Sequence, residues 1–466
     1  MYIFYDFETS DKDFLGQILS YYFVLVDDSY SIIREYDGVI QPNRMELPRV
    51  EALLVNQLSL DECHAKGQSE FDAANGIYDF LQTATNEYGA LPLVGFNSAR
   101  FDFKHLEKLL LKYGLSPTFY GKISSLDIYQ FTKYCALTNI DSFPFIAKKY
   151  NDTPAYSFKL EHLAKAFNCL DTPQTHDAKD DVLLTIELTK ALESRFNTRL
   201  ALFRTQQHNT QSFTTPGHQL KEPYLAFEQT ANTPIVNTRH WMVIGTVNKS
   251  TFILLDIDAY QKSARTSLND YGAITRYFNT RSNALYVSSH PLTDTNQVIL
   301  NDPHIQTIRQ QASDYFSLFP VDWDIEYRPW AMGFTAIPIL RQYIERLCQN
   351  PNDYDAIIHD WRQLKQNDPE RSSQYNLMIQ LFNRYYLNHH PSPKKEHIQK
   401  YITKRYATGA LYRNSADATH PIKDIATARF HLANPSTTPR TTQLLTEHIT
   451  HAEAFIAQYL PHTSPT

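Results

Sequence analysis

The sequence predicts a mixed α/β protein that opens on a β-sheet and closes in helices, and three observations carry that prediction. An apolar, aromatic-rich run at residues 2–8 (YIFYDFE) is followed by ILSYYFVLV at 18–26 and a further β-rich run at 31–40. Beyond residue 69 the apolar residues recur at helical spacing, broken by a strand-like PLVGF at 92–96. From about Ile337 onward the pattern is helical almost throughout, with Ile398–Leu411 and Thr442–Tyr459 as its clearest runs.

The early helices are expected over Ser69–Thr85, Phe101–Tyr113, Leu126–Leu137, Leu160–Phe167 and Ala178–Leu192. Strands and helices in that order make an α/β domain of ordinary size over residues 1–198. From Ala201 to Thr233 a stretch rich in Gln, Thr and Asn is expected to form a linker or an irregular entry. The runs HWMVIGTV, TFILLDID and ALYVSS then predict a small β-rich domain over 199–348, followed by a helical domain over 349–466. No fixed-period repeat is present.

Composition places the chain among folded, soluble proteins: 20% of residues are charged, 42% are hydrophobic, and no long polar tract interrupts them. No apolar stretch approaches the ~20 residues that a membrane span needs, so no membrane association is expected. The N-terminus runs straight into a strand without a basic region or cleavage site. Four cysteines, Cys63, Cys135, Cys169 and Cys348, lie far apart and form no C-x-x-C pair. A reducing cytoplasm is the expected location. The net charge of −6 argues against a generally basic coat but leaves room for a local basic groove.

Three short elements carry the chemistry. Asp6-Phe7-Glu8 ends the first strand, where alternation puts both carboxylates on one face and Phe7 on the other. Like charges so close favour a hard divalent cation between them, Mg²⁺ or Mn²⁺. Asp102 closes the segment NSARFD after PLVGF, at the carboxyl edge of a sheet, where it is placed either as a ligand or as a helix-terminus residue. His176-Asp-Ala-Lys-Asp-Asp181 leads into an amphipathic helix, so that His176 lies in the preceding loop and Asp181 in an early turn. Asp177 reads as the N-cap of that helix and Asp180 as a residue favoured by its dipole.

Taken together, D-x-E, N-x-x-x-F-D and H-x-x-x-x-D resemble the DEDD exonuclease superfamily, in its order and on its secondary structure. The histidine marks the DEDDh branch. The resemblance implies that Asp6, Glu8, Asp102 and Asp181 hold two divalent ions and that His176 accepts the proton of the attacking water. Thr9 is placed either to touch the terminal nucleotide or to end the strand.

Beyond the motifs, the sequence is similar to bacterial exodeoxyribonuclease I, most clearly over residues 2–195. The segments DFET, AKGQSEFDAANGI, GFNSARFD, LDIYQFTKYCAL and SFKLEHLAKAFN carry that similarity. It implies an RNase H-like exonuclease domain, an SH3-like β domain and a helical domain forming a C-shaped clamp around single-stranded DNA. It also implies a monomer, a role in DNA repair or recombination, and binding to the acidic C-terminal tail of single-stranded DNA-binding protein. Lys159 stands where the family has a substrate-contacting arginine, keeping the charge but losing the planar fork.

A basic and aromatic stretch runs from Arg384, Tyr385 and Tyr386 through Lys400, Tyr401, Lys404, Arg405 and Tyr406 to Tyr412 and Arg413. It reads either as a strand-binding face, with Lys404, Arg405 and Tyr406 as contacts, or as a helical surface whose tyrosines are half buried. Three other readings fit the motifs: an exoribonuclease of the same superfamily, a single-strand-binding protein without cleavage, and a proofreading subunit acting within a polymerase, which the C-terminal extension disfavours.

Overall fold

The computed structural model describes residues 1–139, 141–150, 153–169, 177–206, 216–217, 219–226, 235–248, 251–262, 267–279, 288–290, 294–318, 324–411 and 421–460. The fold is mixed α/β. Its first sheet contains β1 (Tyr2–Thr9), β2 (Ile18–Val26), β3 (Ile32–Val39), β4 (Leu91–Gly95) and β5 (Ile123–Asp127). The order is β3-β2-β1-β4-β5, with β2 antiparallel to both its neighbours and β4 parallel to β1 and β5.

Strand alternation divides β1 between two cores. Ile3, Tyr5 and Phe7 face one side, packing with Phe23 against α3 (Glu70–Tyr88) and α4 (Asp102–Lys112). Tyr2 and Phe4 face the other, against α5 (Ile128–Thr138), α6 (Leu160–Ala166) and α7 (Ala178–Phe196). Asp6 and Glu8 continue that second face towards α7, and Phe7 lies in the first core, as period two requires.

Before α3, the chain forms two seven-residue helices that the periodicity does not announce, α1 (Val50–Asn56) and α2 (Leu60–Lys66). Helices this short are marginal alone and owe their existence to packing. The run expected as one helix over Leu126–Leu137 is instead the end of β5 followed by α5. Asp127 makes the break by accepting the Tyr129 N–H at 2.9 Å as the N-cap. A small hairpin joins β6 (Ala147–Tyr150) to β7 (Thr153–Tyr156).

The expected linker begins later than Ala201. Residues Leu200–Gln206 form α8, which buries Leu200 and Phe203 in the second core. A second sheet then has the order β11-β10-β9-β8-β12 from β8 (Gln219–Ala226), β9 (Ile235–Asn248), β10 (Thr251–Asp256), β11 (Thr275–Asn279) and β12 (Ser288–His290). Most of ALYVSS lies outside the described residues. This region also carries helices α9 (Ile257–Lys262), α10 (Leu268–Gly272), α11 (Asp294–Leu300) and α12 (Pro303–Leu318), so it is less purely β than expected.

The remainder is helical: α13 (Ala336–Gln349), α14 (Tyr354–Asn367), α15 (Ser372–His389), α16 (Lys395–Ile402), α17 (Pro421–Leu432) and α18 (Pro439–Tyr459). Leu340, Phe382, Ile402 and Phe455 from these helices complete the same core that holds Tyr5 and Phe7. The helical part is thereby fused to one face of the first sheet. Among the described residues, no helix is long and apolar enough to cross a membrane.

A buried ionic seam runs along that junction. Arg384 on α15 is paired with both Asp324 and Glu326, and Lys108 on α4 lies 3.7 Å from Glu326. Glu46 pairs with Arg405 at 2.8 Å, and Glu70 accepts from Lys112 at 2.6 Å and Tyr113 at 2.5 Å. Four acids thus meet four bases, so each charge removed from water has an opposite charge beside it.

Candidate metal centre and nucleotide cleft

β1 delivers Asp6 and Glu8 to the face along which α7 runs, and Asp181 enters from the first turn of α7. One oxygen from each of the three lies within 4.8 Å of the others. Asp177 caps α7 by accepting the Lys179 and Asp180 N–H groups, which fixes the turn that presents Asp181. Asp102 opens α4 and is buried beside this trio, close enough for its charge to act on Asp6 and Glu8.

Asp127 is the support that the sequence reading did not single out. Its carboxylate accepts the Asn97 N–H at 2.8 Å and the Ala99 N–H at 3.2 Å, holding the loop between β4 and Asp102. The visible signal was an acid directly ahead of a helical run. Gly95 is required just before this loop, because a Cβ there would lie 2.6 Å from the Ser98 Cβ and 3.1 Å from the Tyr5 carbonyl.

The electrostatics of the site favour an added positive charge. Burial, and then the neighbouring charges of Asp102, Glu8 and Asp181, hold the Asp6 carboxyl well above its usual range. Glu8 is pushed up to about 9 by burial, then by Asp181 and Asp102. Asp102 is pushed up to about 8, chiefly by burial. Hard carboxylate oxygens, crowded together and desolvated, suit a divalent ion such as Mg²⁺ or Mn²⁺.

A pH dependence follows with a definite sign. With folded-state values near 9 for Glu8 and near 8 for Asp102 against unfolded values near 4, the folded state holds the extra protons in between. The metal-free protein is therefore expected to lose stability as pH rises from about 4.5 towards 9. A millimolar divalent cation should flatten that slope. Melting curves in EDTA and in Mg²⁺ at several pH values measure it, and a flat EDTA profile would count against the coupling.

Next to Glu8, a cleft of about 340 Å³ opens between the end of β1 and α1. Thr9, Arg49, Ala52, Asn56 and Phe101 line it together with Glu8. The Asn56 side chain donates to the Thr9 carbonyl at 3.1 Å, and the Arg49 N–H donates to the Ser10 carbonyl at 2.8 Å, so α1 is laced to the strand end. The Thr9 hydroxyl donates to the Asp11 carbonyl, and Thr9 is buried.

The other expected contacts are distributed unevenly. His176 lies outside the described residues, as do Tyr412 and Arg413. Lys159 is exposed at the N-cap of α6, and Lys404 is exposed near the end of α16. Arg405 and Tyr406, expected as substrate contacts, require correction. Arg405 is buried against Glu46 and the Leu15 carbonyl, while the Tyr406 hydroxyl donates to the Met45 carbonyl and accepts the Leu47 N–H. Arg384, Tyr385 and Tyr386 are buried as well, so much of the basic and aromatic stretch faces the interior.

Comparison with known proteins accords with this arrangement. Over 153 residues the chain is 29% identical to exodeoxyribonuclease I of Haemophilus influenzae, and over 199 residues it is 25% identical to that of Escherichia coli. The chain is similar to bacterial exodeoxyribonuclease I.

Those alignments cover 32% and 42% of this chain, and only 30% and 40% of the two exodeoxyribonucleases. The fold match is far more extensive. E. coli exonuclease I in complex with a 5cy-dA13 oligonucleotide superposes with a TM-score of 0.64 at 16% identity, over 97% of this chain and 99% of that one. Exonuclease I from Methylocaldum szegediense gives 0.66 at 14% identity with the same coverage. An ExoI/SSB-Ct complex gives 0.65 at 15% identity, again over 97% and 99%. No family model matches the chain.

Proposed function

We propose that this chain is a metal-dependent 3'→5' exonuclease that degrades single-stranded DNA to 5'-mononucleotides. The observation that carries the reading is the convergence of Asp6, Glu8 and Asp181 within 4.8 Å, beside a cleft of nucleotide size. Asp6, Glu8, Asp102 and Asp181 would hold the divalent cations, two Mg²⁺ ions with Mn²⁺ as a substitute. When bound, such ions supply a polarised phosphodiester and an activated water.

The chain's own residues do the rest. His176, in the segment leading into α7, takes the water's proton as general base, a role its near-neutral intrinsic pKa permits. Thr9 and the cleft wall hold the terminal nucleotide, and the exposed amines of Lys159 and Lys404 meet phosphates further along the strand. Arg405 and Tyr406 are excluded from this set because their polar groups are committed inside the seam.

The wider arrangement we propose is an RNase H-like domain over 1–198, an SH3-like domain over 199–348 and a helical domain over 349–466, closing as a monomeric C-shaped clamp. Segment 325–347 packs across the second boundary into the first core. Supporting this reading is the superposition on exonuclease I along nearly the whole chain. A cytoplasmic role in DNA repair or recombination accords with it.

Incubating the protein with 5'-labelled single-stranded DNA, its duplex and the matching RNA, with Mg²⁺ or EDTA, tests the function. A ladder shortening from the 3' end of single-stranded DNA alone, abolished by EDTA, is the expected result. Preferential loss of RNA would make it an exoribonuclease, and binding without cleavage would make it a strand-holding protein. For the partner, a peptide with the acidic tail of single-stranded DNA-binding protein should bind at low salt and weaken as salt rises. Absence of a titration signal at low salt removes that partner.

A further inference from the structure

The α1 side of the cleft is backed by a distant part of the chain. Val50 of α1 packs with Ala428 of α17 and Leu445 of α18, with Leu54, Leu432 and Ile449 around them. Polar links extend the contact along the whole α1–α2 segment. The Ser59 hydroxyl donates to Glu447 at 2.7 Å, Arg440 donates to the Gln57 carbonyl at 2.8 Å, and His451 lies 2.8 Å from Asp61. The final helical pair therefore grips the element that lines the cleft.

At the head of α1 this grip becomes chemical. Asp424 on α17 is buried, with its carboxylate beside the head of α1. The same carboxylate lies 4.0 Å from Nε of Arg49, whose side chain borders the cleft. Arg49 has Asp11 at 3.7 Å and Glu51 at 3.8 Å besides, all beyond hydrogen-bonding distance, and its buried Nε has no hydrogen-bond partner. A guanidinium steered by three carboxylates but bonded closely to none keeps donors free for a ligand in the cleft.

We propose that Arg49 contacts the terminal nucleotide in this cleft and that Asp424 is the positioning residue that aims it, so that helices α17 and α18 set the substrate-binding wall. The inference rests on the nucleotide-cleaving function proposed above. The surrounding carboxylates offset the charge of Arg49, which favours neutral sugar or base acceptors over a phosphate as its target. Because Asp424 acts through Arg49 and not on the scissile bond, it governs substrate binding more than the chemical step.

The test uses the full chain and steady-state cleavage of labelled single-stranded DNA by wild type, Asp424→Asn, Arg49→Lys and the double variant. Asn keeps the shape of Asp424 and removes its charge, while Lys keeps the charge of Arg49 and loses the planar fork. Each single variant should raise KM about tenfold with kcat changed less than about threefold, and the double variant should be little worse than either. Melting temperatures should stay near wild type. If Asp424→Asn melts early, Arg49→Lys, which uncovers no buried acid, decides the matter by its KM. Wild-type KM in both single variants overturns the proposal, as do additive effects or losses that simply follow melting temperature. A wild type that cuts no DNA overturns the proposed function, and this inference with it, a result distinct from an active enzyme indifferent to both substitutions.

Discussion

Asp6→Asn should lose at least about a thousandfold in divalent-dependent cleavage while making the metal-free protein more stable above neutral pH. The two effects share one cause. Asp6 is held against Asp102, Glu8 and Asp181 in a desolvated site, where each added negative charge raises the cost of the others. An amide of the same shape relieves that repulsion in the absence of metal and removes a hard anionic ligand in its presence. The gain should appear as a melting temperature raised by about 1–2 °C for each kcal/mol relieved, and it should shrink as pH falls and vanish below about pH 3, where the acids are protonated in either state. Paired melting and cleavage assays across pH read both effects. A variant that kept activity, or one less stable than wild type at pH 8 in EDTA, would refute the assignment of Asp6.

The second large effect concerns folding. Arg384→Ala should cost about 3–5 kcal/mol, because Asp324 and Glu326 would remain buried with their shared cation gone. Arg384 is itself almost fully buried, and the acids on either side of it are as enclosed, so solvent does little to screen the loss. Lys108, 3.7 Å from Glu326, offers only partial compensation. Urea titration should show a lower midpoint, and restoring the balance with Asp324→Asn in the same chain should recover part of the loss. A change below about 1 kcal/mol would mean that the seam relaxes or admits water.

How much of this was legible in the sequence depends on the range of the interactions involved. Asp6 and Glu8 were readable because strand alternation is local, and it put both on the α7 face with Phe7 behind them. Asp181 followed equally from a cap at Asp177 and helical spacing. The strands β1, β2 and β4 stood out for the same reason. By contrast, α1 and α2 are shorter than the period needed to announce them, and they are held by α17 and α18 nearly four hundred residues away along the chain. Arg405 and Tyr406 were misread because a sequence displays the kind of charge but not its partner, and Glu46 lies far upstream. Asp127 went unremarked as a support for Asp102 because its work is done on backbone N–H groups of a preceding loop.

The ionic seam bears on how freely this protein can be taken apart or rebuilt. Cutting the chain after its first sheet and helices would strip Glu326 from Lys108 and Arg405 from Glu46, and would lay open the apolar flank beside α3 and α4. The layer that carries Asp6, Glu8 and Asp181 is thus a dependent part and not a detachable cassette. Freedom to vary lies instead with the second sheet, whose own core of Met242, Ile244, Ile253 and Leu255 draws on neither side of the seam. Lengthening or exchanging loops there leaves every charge at the junction with its opposite number, so engineering of reach or strand preference is best begun in that sheet.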